Sequence, residues 1–314
     1  MGKDLDNKLK FQNPFRTLKG EERASVDMTG LKTLWLNTGT LCNLECQNCY
    51  IESGPKNDRL LYLTKDDVLP YIKEIKEQSL PVNLIGITGG EPFLNPHIIN
   101  IIDTILRAGH KVLILTNAYK VISRWDKKLL TLNELFPEKL FLRVSLDHFT
   151  KEIHEKERGL NTFFPTLENI KWLINKGFNI SIAGRFLRSE DYAGALEGFK
   201  SLFQKVEIPL TLSEDNLVLF PEMDSKNLNT PEITTSCWSI LGKSPKSLMC
   251  SSERMVVKPK GQNKTKVQAC TLIPYEKEFE LGESLSESSK KVFLNHPFCS
   301  SFCVLGGSSC SKTY

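Results

Sequence analysis

From Leu31 onward, short apolar runs alternate with amphipathic stretches, and this rhythm constrains the fold more than any other feature of the chain. The runs are LKTLWLNTG (31–39), VNLIGITGG (82–90), KVLILTNA (111–118), KLFLRVSLD (139–147) and NISIAGRF (179–186). Each is rich in aliphatic or β-branched residues and bounded by Gly, Asn or Asp, the pattern of strands buried on both faces of a parallel sheet. Between them, TKDDVLPYIKEIKEQ begins with a Thr cap and acids that suit the helix dipole. HIINIIDTILRAGH follows Pro96 and stops at Gly109, and TLENIKWLINKG stops at Gly177. Strand and helix alternating at about 30 residues predict an α/β fold with crossover helices, a barrel or part of one.

After about residue 205 the rhythm fades. IPLTLSEDNLVLFPEM offers a last strand, and the basic run KPKGQNKTK (258–266) reads as a solvated hairpin turn. From Pro231 onward Cys237, Cys250, Cys270, Cys299, Cys303 and Cys310 recur with little helical periodicity. The composition divides the chain into an N-terminal extension (1–30), a barrel (31–225) and a small Cys-rich C-terminal domain (226–314).

The net charge of +4 is spread along 314 residues, so no nucleic-acid or membrane surface is expected. No apolar run approaches the ~20 residues of a membrane span. The N-terminus MGKDLDNKLKFQNPF has no secretory apolar core, and Asp6 stands where a myristoylation signal carries Ser or Thr. A cytoplasmic location is therefore expected, and nine cysteines in a reducing compartment point to metal or catalytic ligands before disulfides.

Three of those cysteines sit in NTGTLCNLECQNCYIESGP (37–55), a loop after the first predicted strand. Parallel α/β barrels place their active sites at that end of the strands. Three thiolates, Cys42, Cys46 and Cys49, suffice for three irons of a [4Fe–4S] cube and leave the fourth open. A zinc site needs a fourth ligand, and the loop holds no His; completion by a distant residue is the alternative.

CNLECQNCY resembles the Cys-x3-Cys-x2-Cys motif of radical S-adenosylmethionine (SAM) enzymes, and TGGEP (88–92) ending the second strand strengthens the likeness. The resemblance covers residues 31–205 and implies a partial (β/α)6 TIM-like barrel. It implies a [4Fe–4S] cluster on Cys42, Cys46 and Cys49, with SAM chelated at the open iron and cleaved to a 5′-deoxyadenosyl radical. Gly89, Gly90, Glu91 and Pro92 match the motif that binds the methionine amine, with Glu91 as an acceptor. Asn117 in TNA would face cofactor or substrate, and Ser145 and Asp147 of SLDHFTKEIHEKERG would lie near the SAM ribose. Arg185 would reach the SAM carboxylate, with a rim salt bridge as the plainer reading. Asn48 departs from the family, which carries an aromatic residue there, and His148 replaces a Gly. HEKER looks like half of a zinc-protease helix, but Arg158 stands in place of the second His.

The tail resembles the twitch or SPASM extensions of this family: a Cys, a hairpin around Gly261, Cys270, a helix beginning at Leu281–Gly282, then clustered cysteines. That implies a second, auxiliary [4Fe–4S] cluster on Cys250, Cys270, Cys299 and Cys303, with Cys310 and Cys237 in reserve; buried free thiols are the bland alternative. Glu222, Asp224 and Glu232 read as linker acids, with substrate contact as the sharper alternative. The expected function is a radical SAM oxidoreductase or maturase acting on a small molecule or a peptide side chain, with flavodoxin or ferredoxin as electron donor. The readings from other classes are an iron–sulfur electron carrier without catalysis and a zinc-binding structural protein.

Overall fold

A computed structural model describes residues 9–187, 189–221 and 229–307. Six strands follow one another in the sheet in chain order: β2 (Thr33–Asn37), β3 (Leu84–Thr88), β4 (Lys111–Thr116), β5 (Leu140–Ser145), β6 (Asn179–Phe186) and β7 (Leu217–Pro221). All five pairings are parallel, so each connection crosses over through helix. The crossover helices are α1 (Lys65–Glu77), α2 (Ile98–Arg107), α3 (Asp126–Leu135), α4 (Lys151–Arg158), α5 (Phe163–Asn175) and α6 (Tyr192–Lys205). This is the expected partial (β/α)6 barrel.

Local chemistry explains the elements. Every residue of β2 and β3 is buried, as strands covered on both faces require. Thr64 and Asp67 close a reciprocal capping box at the start of α1. The apolar face of α2, Ile98, Ile101, Ile102, Ile105 and Leu106, packs on the sheet beside Leu34, Leu36, Ile85 and Ile87. Each such side chain stabilises the fold by about 1.5–3 kcal/mol. On the other face Trp35 lies across its sheet partner Gly86, where a Cβ would sit 2.3 Å from the indole ring.

The C-terminal residues, expected as a small Cys-rich domain (226–314), continue the barrel sheet. Strand β8 (Glu253–Val257) pairs in parallel with β2, and β9 (Lys266–Gln268) and β10 (Glu280–Gly282) extend the same sheet antiparallel. The sheet thus has nine strands, in the order β10-β9-β8-β2-β3-β4-β5-β6-β7. The physical reason is the edge of β2, whose apolar TLWLN would otherwise be left open to water. The Lys258–Lys266 segment is the expected hairpin, with Gly261 at φ 82°. Leu281–Gly282, expected to begin a helix, lies in β10 instead.

Residues 11–30, within the expected N-terminal extension, pack against the C-terminal residues. Strand β1 (Ser25–Val26) pairs with β11 (Val292–Phe293), and Ala24 and Val26 share a core with Leu272, Leu294 and Phe302. Arg23, buried, pairs with Glu232 at 2.5 Å. Glu232 also accepts from the backbone of Phe11 and Leu18, so it is a tether rather than a surface linker acid. Glu222 and Asp224 lie outside the described residues.

Candidate functional site

The cysteine loop leaves β2 at its C-terminal end and is tied down by the ends of two other strands, β3 and β4, and by α4. Gly90 N–H donates to the Gly39 carbonyl (2.8 Å) and Glu91 N–H to that of Leu41 (3.1 Å). A Cβ on Gly90 would lie 2.2 Å from the Leu41 oxygen, and Gly89 has φ 143°. The Gly-Gly pair therefore lets the base of the cysteine loop pass against the end of β3.

Glu91 is buried and hydrogen-bonded within the protein. Its carboxylate accepts from the Thr116 hydroxyl (2.8 and 3.0 Å), Asn117 N–H (2.8 Å) and Phe93 N–H (3.1 Å). Burial pushes its carboxyl up to about 7 against those hydrogen bonds. Pro92 is buried at the first position of a short 3-10 turn, Pro92–Leu94. Asn117 ties β4 to the loop, its Nδ2 donating to Asn43 Oδ1 (3.0 Å) and approaching Cys42 Sγ (3.7 Å).

One cavity of about 140 Å³ is lined by Cys42, Cys46, Cys49, Gly89, Gly90 and Asn117, with Ser145, Arg158 and Arg185 opposite. No His, Asp or Glu lines it among the described residues. Burial pushes the Cys42 thiol up to about 12 and raises that of Cys46, which Arg158 lowers in part. Such thiols become thiolates when a metal takes the place of the proton. Three donors around one cavity, two guanidiniums across it and no fourth ligand suit a cluster that keeps a coordination position open. Among the described residues no three His, Cys, Asp or Glu side chains converge as a single-ion site would require.

A second cavity of about 140 Å³ shares Tyr50, Leu115, Ser145, Arg158 and Arg185 with the first and runs into the barrel. Its floor is Arg143, Ala183 and Gly184; Leu272, Phe220 and Phe302 from the C-terminal half roof it. Asp147 lies on its wall. Burial raises this carboxyl, but Arg158 (2.6 and 3.3 Å) and Arg185 (3.2 Å) outweigh it and hold the group below the usual range. Arg185 also pairs with Glu157 (3.2 Å), an ion pair as the plainer reading expects, and lines the first cavity.

The sequence reading missed Arg158, which lines both cavities from the last turn of α4. The available signal was its spacing: His154 and Arg158 are four apart, hence on one helix face. It also missed why Asn48 differs from the family. Asn48 N–H and Nδ2 both donate to the Glu157 carboxylate (2.9 and 2.8 Å), and Gln47 N–H donates to the Glu157 carbonyl (2.8 Å). The position holds the loop to α4.

Cys250, Cys270, Cys299 and Cys303 line one small cavity with Leu272, Ile273 and Phe279. Cys299 and Cys303 stand on a π-helix, Cys299–Leu305, where a spacing of four keeps both on one face. Burial pushes Cys250 up to about 11 and Cys270 up to about 12. The cavity, about 20 Å³, holds about one water-sized sphere, so a four-iron cube enters only as these side chains rotate outward. Cys237 is outside it, against Thr234, and Cys310 lies outside the described residues.

Residues 36–191 match the family described as the Radical SAM superfamily. The antilisterial bacteriocin subtilosin biosynthesis protein AlbA of Bacillus subtilis is 29% identical over 145 residues, 45% of this chain and 30% of AlbA. A protein named "Probable GTP 3',8-cyclase" from Saccharolobus islandicus is 29% identical over 149 residues, 47% of this chain and 45% of that protein. The matched segment thus spans less than half the length of these curated relatives. Among solved structures, Streptococcus suis SuiB bound to S-adenosylmethionine superposes with a TM-score of 0.55 at 13% identity, over 81% of this chain and 63% of SuiB. The structure of anSMEcpe with bound AdoMet gives 0.56 at 17% identity, over 82% and 77%. With the three-cysteine loop, the Gly-Gly crossing and the six-stranded partial barrel in place, the chain belongs to the radical SAM superfamily.

Proposed function

We propose that the chain is an enzyme that cleaves SAM reductively and uses the resulting radical to take a hydrogen atom from a small molecule or a peptide side chain. The observation that carries this reading is the adjacency of two cavities: the one lined by the three cysteines shares a wall of Tyr50, Leu115, Ser145, Arg158 and Arg185 with the one roofed by Leu272 and Phe302. Cys42, Cys46 and Cys49 would hold the [4Fe–4S] cluster. Gly89 and Gly90 bring backbone to the cavity wall where the SAM amine would bind, and Arg158 or Arg185 would meet its carboxylate. Bound there, cluster and SAM would supply the radical chemistry. The protein's part is to orient and to exclude water: Asn117 and Glu157 fix the loop, while Phe220, Phe302 and Leu272 close the barrel mouth.

Cys250, Cys270, Cys299 and Cys303 would hold an auxiliary [4Fe–4S] cluster that relays an electron or anchors substrate, and a flavodoxin or ferredoxin would reduce the enzyme. AlbA is named for bacteriocin biosynthesis and SuiB was solved with a precursor peptide, which favours a peptide substrate without deciding it against a small one. The test is anaerobic reconstitution with iron, sulfide and dithionite. SAM should be converted to 5′-deoxyadenosine and methionine, and Cys46→Ala should abolish the conversion. Redox activity without SAM cleavage, or full turnover by the variant, would overturn the proposal.

A further inference from the structure

Arg254, on β8, is 1% exposed. Its guanidinium donates to four backbone carbonyls: Nε to Ser288 (2.9 Å), Nη1 to Cys250 (2.6 Å) and Glu253 (2.7 Å), and Nη2 to Lys290 (3.1 Å). None of these partners is charged. Two other arginines do have a carboxylate partner: Arg23 pairs with Glu232, and Arg158 with Asp147. Among the described residues Arg254 forms no ion pair, and the ionisable groups that would attract it once charged are the thiols of Cys250 and Cys270.

A guanidinium stays protonated even when buried. Taking it out of water without a counter-charge is expensive, and carbonyl dipoles offset only part of that. Cys250 and Cys270 line the cavity they share with Cys299 and Cys303. Neutral thiols there offer Arg254 nothing; thiolates ligating a metal group do. A [4Fe–4S] cluster on four thiolates is net negative and becomes more so with each electron added, and neighbouring charge is one of the factors that set its potential.

We infer that Arg254 is the built-in counter-cation of the C-terminal cysteine site, favouring the reduced state of the cluster bound by Cys250, Cys270, Cys299 and Cys303. The inference rests on the auxiliary cluster proposed above. Arg254 is a positioning and tuning residue: it touches the Cys250 backbone and acts on the cluster through its charge.

The test uses the full chain carrying Cys42→Ala, Cys46→Ala and Cys49→Ala, which leaves only the second site to fill. Iron and acid-labile sulfide should still bind on reconstitution; failure to bind either would remove the auxiliary cluster itself, and the inference with it. In that background, Arg254→Met should lower the ratio of reduced to oxidised cluster, read by electron paramagnetic resonance at a fixed potential, at least tenfold, or about 59 mV for a one-electron couple. Arg254→Lys keeps the charge while losing the four-carbonyl fan, and should stay within about threefold of its parent. If Arg254→Met fails to fold, Arg254→Gln, neutral but hydrogen-bonding, should show the same shift. A neutral variant that titrates like its parent, or a Lys variant shifted as far as the neutral one, would reduce Arg254 to a bridge between carbonyls and overturn the inference.

Discussion

His154 shows at the level of one residue how tightly the support around the site is packed. It is fully buried on α4, in edge contact with Phe163, and neither ring nitrogen has a hydrogen-bond partner among the described residues. Burial, with Arg158 adding to it, pushes its pKa down to about 4. Its folded pKa therefore lies below the unfolded value of about 6.5, so the unfolded chain takes up the proton first. Stability from this group is complete above about pH 6.5 and is lost as pH falls toward 4. The interval corresponds to on the order of 3 kcal/mol. His154→Phe should flatten this slope: the urea midpoint at pH 5 should rise relative to wild type and match or exceed it at pH 7. Parallel midpoint curves for the two proteins would show that His154 is not the group responsible.

At the level of elements, the contact that matters is between the end of α4 and the cysteine loop. Glu157 receives both nitrogens of Asn48, the Gln47 amide through its carbonyl, and Arg185. Charge-assisted bonds of this kind are worth about 1.5–3 kcal/mol each. Glu157→Ala should speed amide hydrogen exchange at Asn48 tenfold or more, since 1.4 kcal/mol is a factor of ten, and should lower iron content after reconstitution. Unchanged exchange at Asn48 would rule out the latch. Much of this element was legible in the sequence, because SLDHFTKEIHEKERG announces both its strand end and its helix. The latch itself was not. A single Asn in a loop carries no local sign of a carboxylate 109 residues later. The tail cysteines were legible as a set for the opposite reason, since their crowding survives any detail of the fold. Their convergence needed the π-helix, which no periodicity announced.

For the molecule as a whole, the sequence rhythm predicts the six parallel strands, and the hidden part is how the two ends of the chain are used. Buried parallel strands are apolar runs without a partner code, so nothing in ERMVV says that it pairs with TLWLN. Leu272 lines both the barrel cavity and the cavity of the tail cysteines, so the two sites share a wall. Truncation before residue 245 would remove that wall and uncover β2 at once. The shortened protein is expected in the insoluble fraction, and a soluble, monomeric product by size-exclusion chromatography would show that β2 tolerates an open edge.

The pairing of Thr33 with Glu253 also sets a timetable. A ribosome adding 5–20 residues per second needs roughly 10–45 s to make the intervening chain. During that interval β3 to β7 are made one after another and extend the sheet on one side of β2, while the strand that covers its other side has yet to be made. The last strand to arrive at that face is the one that seals the first, so the period of greatest exposure falls during synthesis, before any cofactor has been loaded.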